Sequence, residues 1–146
     1  MKKYSVFAVV MLLGGSIALA STVTAPFFRS VQTGNDTSFG LLGIKNNEAF
    51  SVQIDGTYTA LDASDAPTDQ LFSFGLGANE SVSWDPILDD ASFEGTAGAA
   101  VPNMTIPRLT GSVALSSPGS ISGRYTELKG GEGNNISAFG HVLLPL

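Results

Sequence analysis

The sequence predicts an all-β chain: a single antiparallel β-sandwich of seven or eight strands, preceded by a signal peptide. Three observations predict it. Apolar and polar residues alternate over short runs, as in Phe50, Val52 and Ile54 against Ser51, Gln53 and Asp55, the period of a strand with one buried face. Such runs recur at regular spacing between Gly-, Asn- and Asp-rich turns, with almost no helical signal. Glycine supplies 17 of 146 residues and charged residues only 14%, a composition that favours strands and turns. A small β-barrel is the alternative architecture.

The first twenty residues read as a targeting segment. Met1-Lys2-Lys3 is followed by an uncharged apolar run from Val6 to Ala20, ending in Ala18-Leu19-Ala20, the small-x-small pattern that a signal peptidase accepts. The run is 15 residues long and contains Gly14-Gly15, short of the roughly 20 that a membrane-spanning helix needs. Residues 1–20 are therefore expected to be removed, and residues 21–146 to form one domain outside the cytoplasm, secreted or periplasmic, with no membrane span. With no cysteine in the chain, packing alone must hold that domain together.

Beyond the leader, five basic residues (Arg29, Lys45, Arg108, Arg124, Lys129) face thirteen acids. That balance repels a phosphate backbone and argues against nucleic-acid binding. Asn35, Asn79, Asn103 and Asn135 each begin an Asn-x-Ser/Thr triplet; in a chain this rich in Asn, Ser and Thr they read as turn residues.

The strands follow in order. Thr22–Val31 is β-prone, with Pro26 marking an edge or a bend. Ser38–Lys45 is apolar on both parities and reads as central. Phe50, Val52 and Ile54 form a core face, and Gly56, Tyr58 and Ala60 continue its parity. One long strand, with a bulge at Asp55-Gly56, is therefore preferred to a hairpin turn there. Leu61–Asp69 is an acidic loop. Leu71–Leu76 turns inward Phe72, Phe74 and Leu76, and after Gly77-Ala-Asn79 the run Ser81–Asp85 returns as the second half of a hairpin, with Val82 and Trp84 inward. Pro86–Pro107 is irregular, with a short helix expected near Pro86. Leu109–Ser116, Ser120–Leu128 and Ile136–Leu144 complete the sandwich, the last with Ile136, Ala138, Gly140, Val142 and Leu144 as its apolar set and His141 on the polar parity.

Candidate chemistry is sparse. His141 is the single histidine, and no serine is spaced toward it in a recognisable nucleophile motif. Zinc lacks its usual ligand set. Asp85, Asp89, Asp90 and Glu94 share one irregular segment, and Asp62, Asp65 and Asp69 another. Hard oxygen donors on loops suit Ca²⁺, so calcium is the one cofactor considered, with Asp85, Asp89, Asp90 and Glu94 as its ligands and a plain solvated loop as the alternative. The same acids could serve a glycosidase. Trp84, Tyr58 and Tyr125 could form a platform for sugar rings, with Trp84 and Tyr125 as the binding residues, although alternation assigns all three to the core. The uncharged first strand could instead complete a neighbour's sheet and build a fibre.

Three segments, Phe39-Gly-Leu-Leu-Gly-Ile-Lys-Asn-Asn, Phe50-Ser-Val-Gln-Ile and Leu76-Gly-Ala-Asn-Glu-Ser-Val-Ser-Trp-Asp-Pro, resemble immunoglobulin- or fibronectin-III-like sandwiches of bacterial surface proteins. The resemblance covers roughly residues 38–86 and implies an architecture, without the disulfide of true immunoglobulin domains and without any functional residue. The expected function is a non-catalytic structural or adhesive component of the cell exterior. Its loops 61–70 and 86–107 would meet a protein or polysaccharide partner, or another copy of the chain.

Overall fold

The structure is a computed structural model and describes residues 20–33, 36–88, 101–130 and 136–145. Residues 1–19, which hold all but the last residue of the expected signal peptide 1–20, the acids Asp89, Asp90 and Glu94, and the triplet asparagines Asn35 and Asn135 lie outside the described residues. The chain forms β1 (Ser21–Arg29), β2 (Val31–Thr33), β3 (Asp36–Asn46), β4 (Val52–Leu61), β5 (Pro67–Leu76), β6 (Ser81–Trp84), β7 (Thr110–Ser117), β8 (Ile121–Gly130), β9 (Ile136–Val142) and β10 (Leu144–Pro145). Sheet A runs β10-β1-β7-β4-β5, and sheet B runs β2-β3-β8-β9 with β6 also paired to β3. Apart from the short β2 and β10, each sheet holds four strands, and the pairings are antiparallel. The two sheets face each other as a sandwich and do not close into a barrel.

The alternation read from the sequence fills the space between them. Val52, Ile54, Tyr58 and Ala60 of β4 meet Phe72, Phe74 and Leu76 of β5, Val113 and Leu115 of β7, and Leu42, Ile44, Val82 and Trp84 from the opposite sheet. β4 is one unbroken strand, with Asp55 opposite Ser73 and Gly56 opposite Phe72, and no bulge interrupts it. The Phe72 ring lies over Gly56 and stacks on Tyr58, with centroids 4.1 Å apart at 13°. Phe50, expected on the same face, precedes the strand and is exposed.

Three expectations are corrected. β5 and β6 are not a hairpin: β5 pairs with β4 in sheet A, and β6 pairs with β3 in sheet B. Turn residues give the reversal but not the sheet that the next strand joins; buried Asn46 sits where both crossovers begin. Its amide donates to Phe50 O (2.7 Å) and Gly77 O (2.8 Å), so the two crossovers that follow β3 and β5 share one anchor.

The last strand is inverted. His141 stands opposite Tyr125 and Val142 opposite Arg124. Residues directly opposite share a face, so Val142 points outward, 72% exposed. Leu143 takes the core place as the chain crosses to sheet A, its N–H bonded to Gly123 O at 2.9 Å.

The 86–107 segment is not simply a presented loop. Residues 86–88 form a bend rather than a helix, and Val101, Met104 and Ile106 are buried in the core. Tyr58 donates to Pro102 O (3.0 Å). Gln70 donates to Asn103 O (2.9 Å) and accepts from Thr105 N (2.6 Å).

Gly56→Ala tests this packing. An added Cβ would sit 2.3 Å from Phe72 Cζ, and the ring is held by its stack on Tyr58, so overpacking should cost about 1–3 kcal/mol. Urea unfolding should show a lower midpoint with an unchanged slope.

Candidate functional site

Among the described residues the structure joins Trp84 to Tyr58 and gathers no group of the candidate acids. Trp84 ends β6 and is fully buried. Its indole N–H donates to the Tyr58 hydroxyl (2.8 Å), and Phe74 meets it edge-on at 5.7 Å. Tyr125 on β8 is also buried, and its oxygen accepts the Arg29 N–H at 3.1 Å. Burial, with Glu127 and Asp85 nearby, pushes the Tyr125 pKa up to about 12. Neither ring offers a face on which a sugar could stack.

Asp85 is buried directly after β6. It accepts the Ser30 hydroxyl and the N–H groups of Ile87 (2.9 Å) and Leu88 (3.1 Å). Ser30 marks the crossing from β1 to β2, and its oxygen accepts Gly40 N–H at 3.0 Å. The carboxylate therefore fastens the first crossover to the start of the long irregular segment. Desolvation raises its pKa, and these hydrogen bonds oppose that shift.

The other acids have separate tasks. Asp62 caps Ser64 N (2.7 Å) and Ala66 N (3.0 Å), bonds that hold its pKa below the usual value. Asp65 pairs with Arg108 at 2.8 Å, and Asp69 accepts from Thr59 at 2.7 Å. Among the described residues no group of three His, Asp or Glu side chains is placed to hold a metal ion.

Sequence reasoning missed Glu127, which is buried and accepts the Ser38 hydroxyl. The signal was present, because Glu127 continues the inward parity of Ile121, Gly123 and Tyr125. His141 is exposed, its ring 5.3 Å from that of Tyr125. Among the described residues it makes no hydrogen bond to a serine or a carboxylate.

The outer faces of the sheets hold what is open to a partner. On sheet B, a groove of about 490 Å³ lies over Gly43, walled by Lys45, Arg124, Ser83, Ser122 and Val142. No acid lines it. Among the described residues neither Lys45 nor Arg124 has a salt-bridge partner, although the chain carries a net charge of −6. On sheet A, a groove of about 480 Å³ is lined by Thr22, Asp55, Thr57, Ser73 and Ser116, with Leu71 79% exposed beside them. One face is hydroxylic and acidic, and the other is basic with an apolar flank. On the first face Asp55 lies opposite Ser73 and Ser116; no acid lines the groove on the second.

The burial of Asp85 predicts a pH signature. The folded chain holds that proton more tightly than the unfolded chain does. The group therefore favours the fold at low pH, and this contribution is lost as pH rises from about 4 through the raised folded value. Asp85→Asn does not titrate. Urea melts between pH 7 and pH 4 should therefore show wild type gaining stability relative to Asp85→Asn as the solution is acidified.

No family model matches the sequence, and no curated protein matches it. Among solved structures the chain is similar to the crystal structure of Thermotoga maritima 1070, with a TM-score of 0.54 at 15% identity, over 85% of this chain and 92% of that one. That likeness shows the β-sandwich fold and nothing finer.

Proposed function

We propose that this chain is a non-catalytic β-sandwich protein of the cell exterior, secreted and attached to the cell surface or the matrix around it, with a structural or adhesive role. It would be an immunoglobulin- or fibronectin-III-like module that joins its neighbours through its outer sheet faces. One observation carries the reading: the two faces differ in charge, with Lys45 and Arg124 on one and Asp55 on the other. A preformed charged face gives a partner both orientation and a faster encounter. The interior supports the same view, since Asp85, Glu127 and Tyr125 are buried and committed to holding strands and crossovers.

A polysaccharide-binding module built on Trp84 and Tyr125 would need those rings exposed. A fibre joined by donation of the first strand would need β1 free, and β1 lies between β10 and β7 in its own sheet. Attachment through the outer faces requires neither.

Cell fractionation tests the reading. The protein should be recovered with the exterior particulate material and released by salt, because screening weakens contacts between exposed charges. Lys45→Glu combined with Arg124→Glu should move it to the soluble medium while its melting temperature stays close to that of wild type. Wild-type protein found free in the medium, or the double variant retained equally, would count against it.

A further inference from the structure

Resting on that reading, we infer that the partner of these faces is a second copy of this chain, docked head to tail. The outer face of sheet A on one copy meets the outer face of sheet B on the next.

Each face carries a knob and a hollow. On sheet A the knob is Leu71, 79% exposed, and the hollow lies over Ala114, beside Thr22, Thr57 and Ser116. On sheet B the knob is Val142, 72% exposed, and the hollow lies over Gly43. The two hollows are nearly equal in size, about 480 and 490 Å³. Packing within the chain does not require the Gly43 hollow, since a Cβ added there would meet nothing closer than Arg124 Cγ at 3.4 Å. An open hollow that the fold itself does not need is room for something else.

Charge selects the pairing. A against A would set Asp55 toward Asp55, and B against B would set Lys45 and Arg124 toward their own copies; like charges across an interface are unfavourable. A against B sets Asp55 toward Lys45 and Arg124, with Leu71 facing the hollow at Gly43. A foreign polyanion could occupy face B but would leave exposed Leu71 on face A without a role.

Because the two faces lie on opposite sides of the sandwich, each docking leaves one A and one B unoccupied, and association continues instead of stopping at two. Four strand spacings of about 4.8 Å and eight residues of about 3.3 Å give a face of roughly 500 Å² per copy. That is the low end for specific contacts, so assembly depends on protein concentration.

Sedimentation of the purified exported protein tests this. The weight-average mass of wild type should rise with concentration and fall with added salt. Ala114→Arg fills the hollow on face A and sets a cation toward Lys45 and Arg124; Gly43→Gln fills the hollow on face B. Each variant alone should remain monomeric, its association constant at least about tenfold below wild type, a loss of about 1.4 kcal/mol. Mixed one to one, the two variants retain one competent A face and one competent B face, and should form a dimer that grows no further.

The salt dependence of wild type needs no variant and stands even if one variant fails to fold, which circular dichroism would reveal. A wild type that stays monomeric up to its solubility limit overturns the inference. So do variants that assemble like wild type, or a mixture that stays monomeric. Salt-released surface retention in cells with a monomeric purified protein would remove self-docking and leave the proposed function standing.

Discussion

The hydrogen bond from the Trp84 indole to the Tyr58 hydroxyl joins the two sheets through the middle of the core. Much of the surface follows from it. Side chains alternate along a strand with a period of two, so fixing Trp84 inward turns Ser83 outward, and fixing Tyr58 inward turns Thr57 outward. The antiparallel registers carry that choice sideways: Ser83 lies opposite Gly43, Gly43 opposite Arg124, and Arg124 opposite Val142. In sheet A, Thr57 lies opposite both Leu71 and Ala114. A slip of one residue in β4 or β6 would exchange core for surface along the whole strand. The charged faces are thus a by-product of the way the core is locked.

The chain repeatedly crosses between its sheets, and polar side chains are buried where it does. Ser30 and Asp85 close one end of the sandwich, and Asn46 closes the other. Burying such groups is unfavourable unless they are hydrogen-bonded, and each of them is. Asn46 also accepts Glu48 N–H at 2.9 Å, so its amide serves as both donor and acceptor. This is where several polar residues go that a reading for chemistry would single out.

Strand existence was legible for β3 to β8, and inward parity for β4 to β8 but not for β3, because Val52, Ile54, Phe72, Phe74, Val113 and Leu115 alternate without ambiguity while Ser38–Lys45 is apolar on both parities. Sheet membership was not, since the turn at Gly77-Ala78-Asn79 looks the same whether the next strand pairs with its predecessor or crosses over. The last strand misled because its alternating set is small and apolar, while the residue that enters the core, Leu143, belongs to the other parity. β9 packs chiefly against β8, so its apolar residues are not required to face inward. Asp85 and Trp84 were picked out as chemically capable, yet their burial depends on which segments cover them, and no local pattern reveals that. The basic groove was invisible for a related reason: Lys45 and Arg124 are 79 positions apart in sequence and meet only through the β3–β8 register.

The stretch 101–107 has no regular secondary structure, yet Val101, Met104 and Ile106 are buried in the same core cluster as the rings of Tyr58, Phe72 and Phe74. It acts as a plug inserted from the side. For anyone grafting a peptide into this scaffold, the two irregular regions are therefore opposites. The turn at Asp62–Ala66 projects into water, where an insertion hangs free. At 101–107 the same insertion would pull the plug and let water reach the rings behind it.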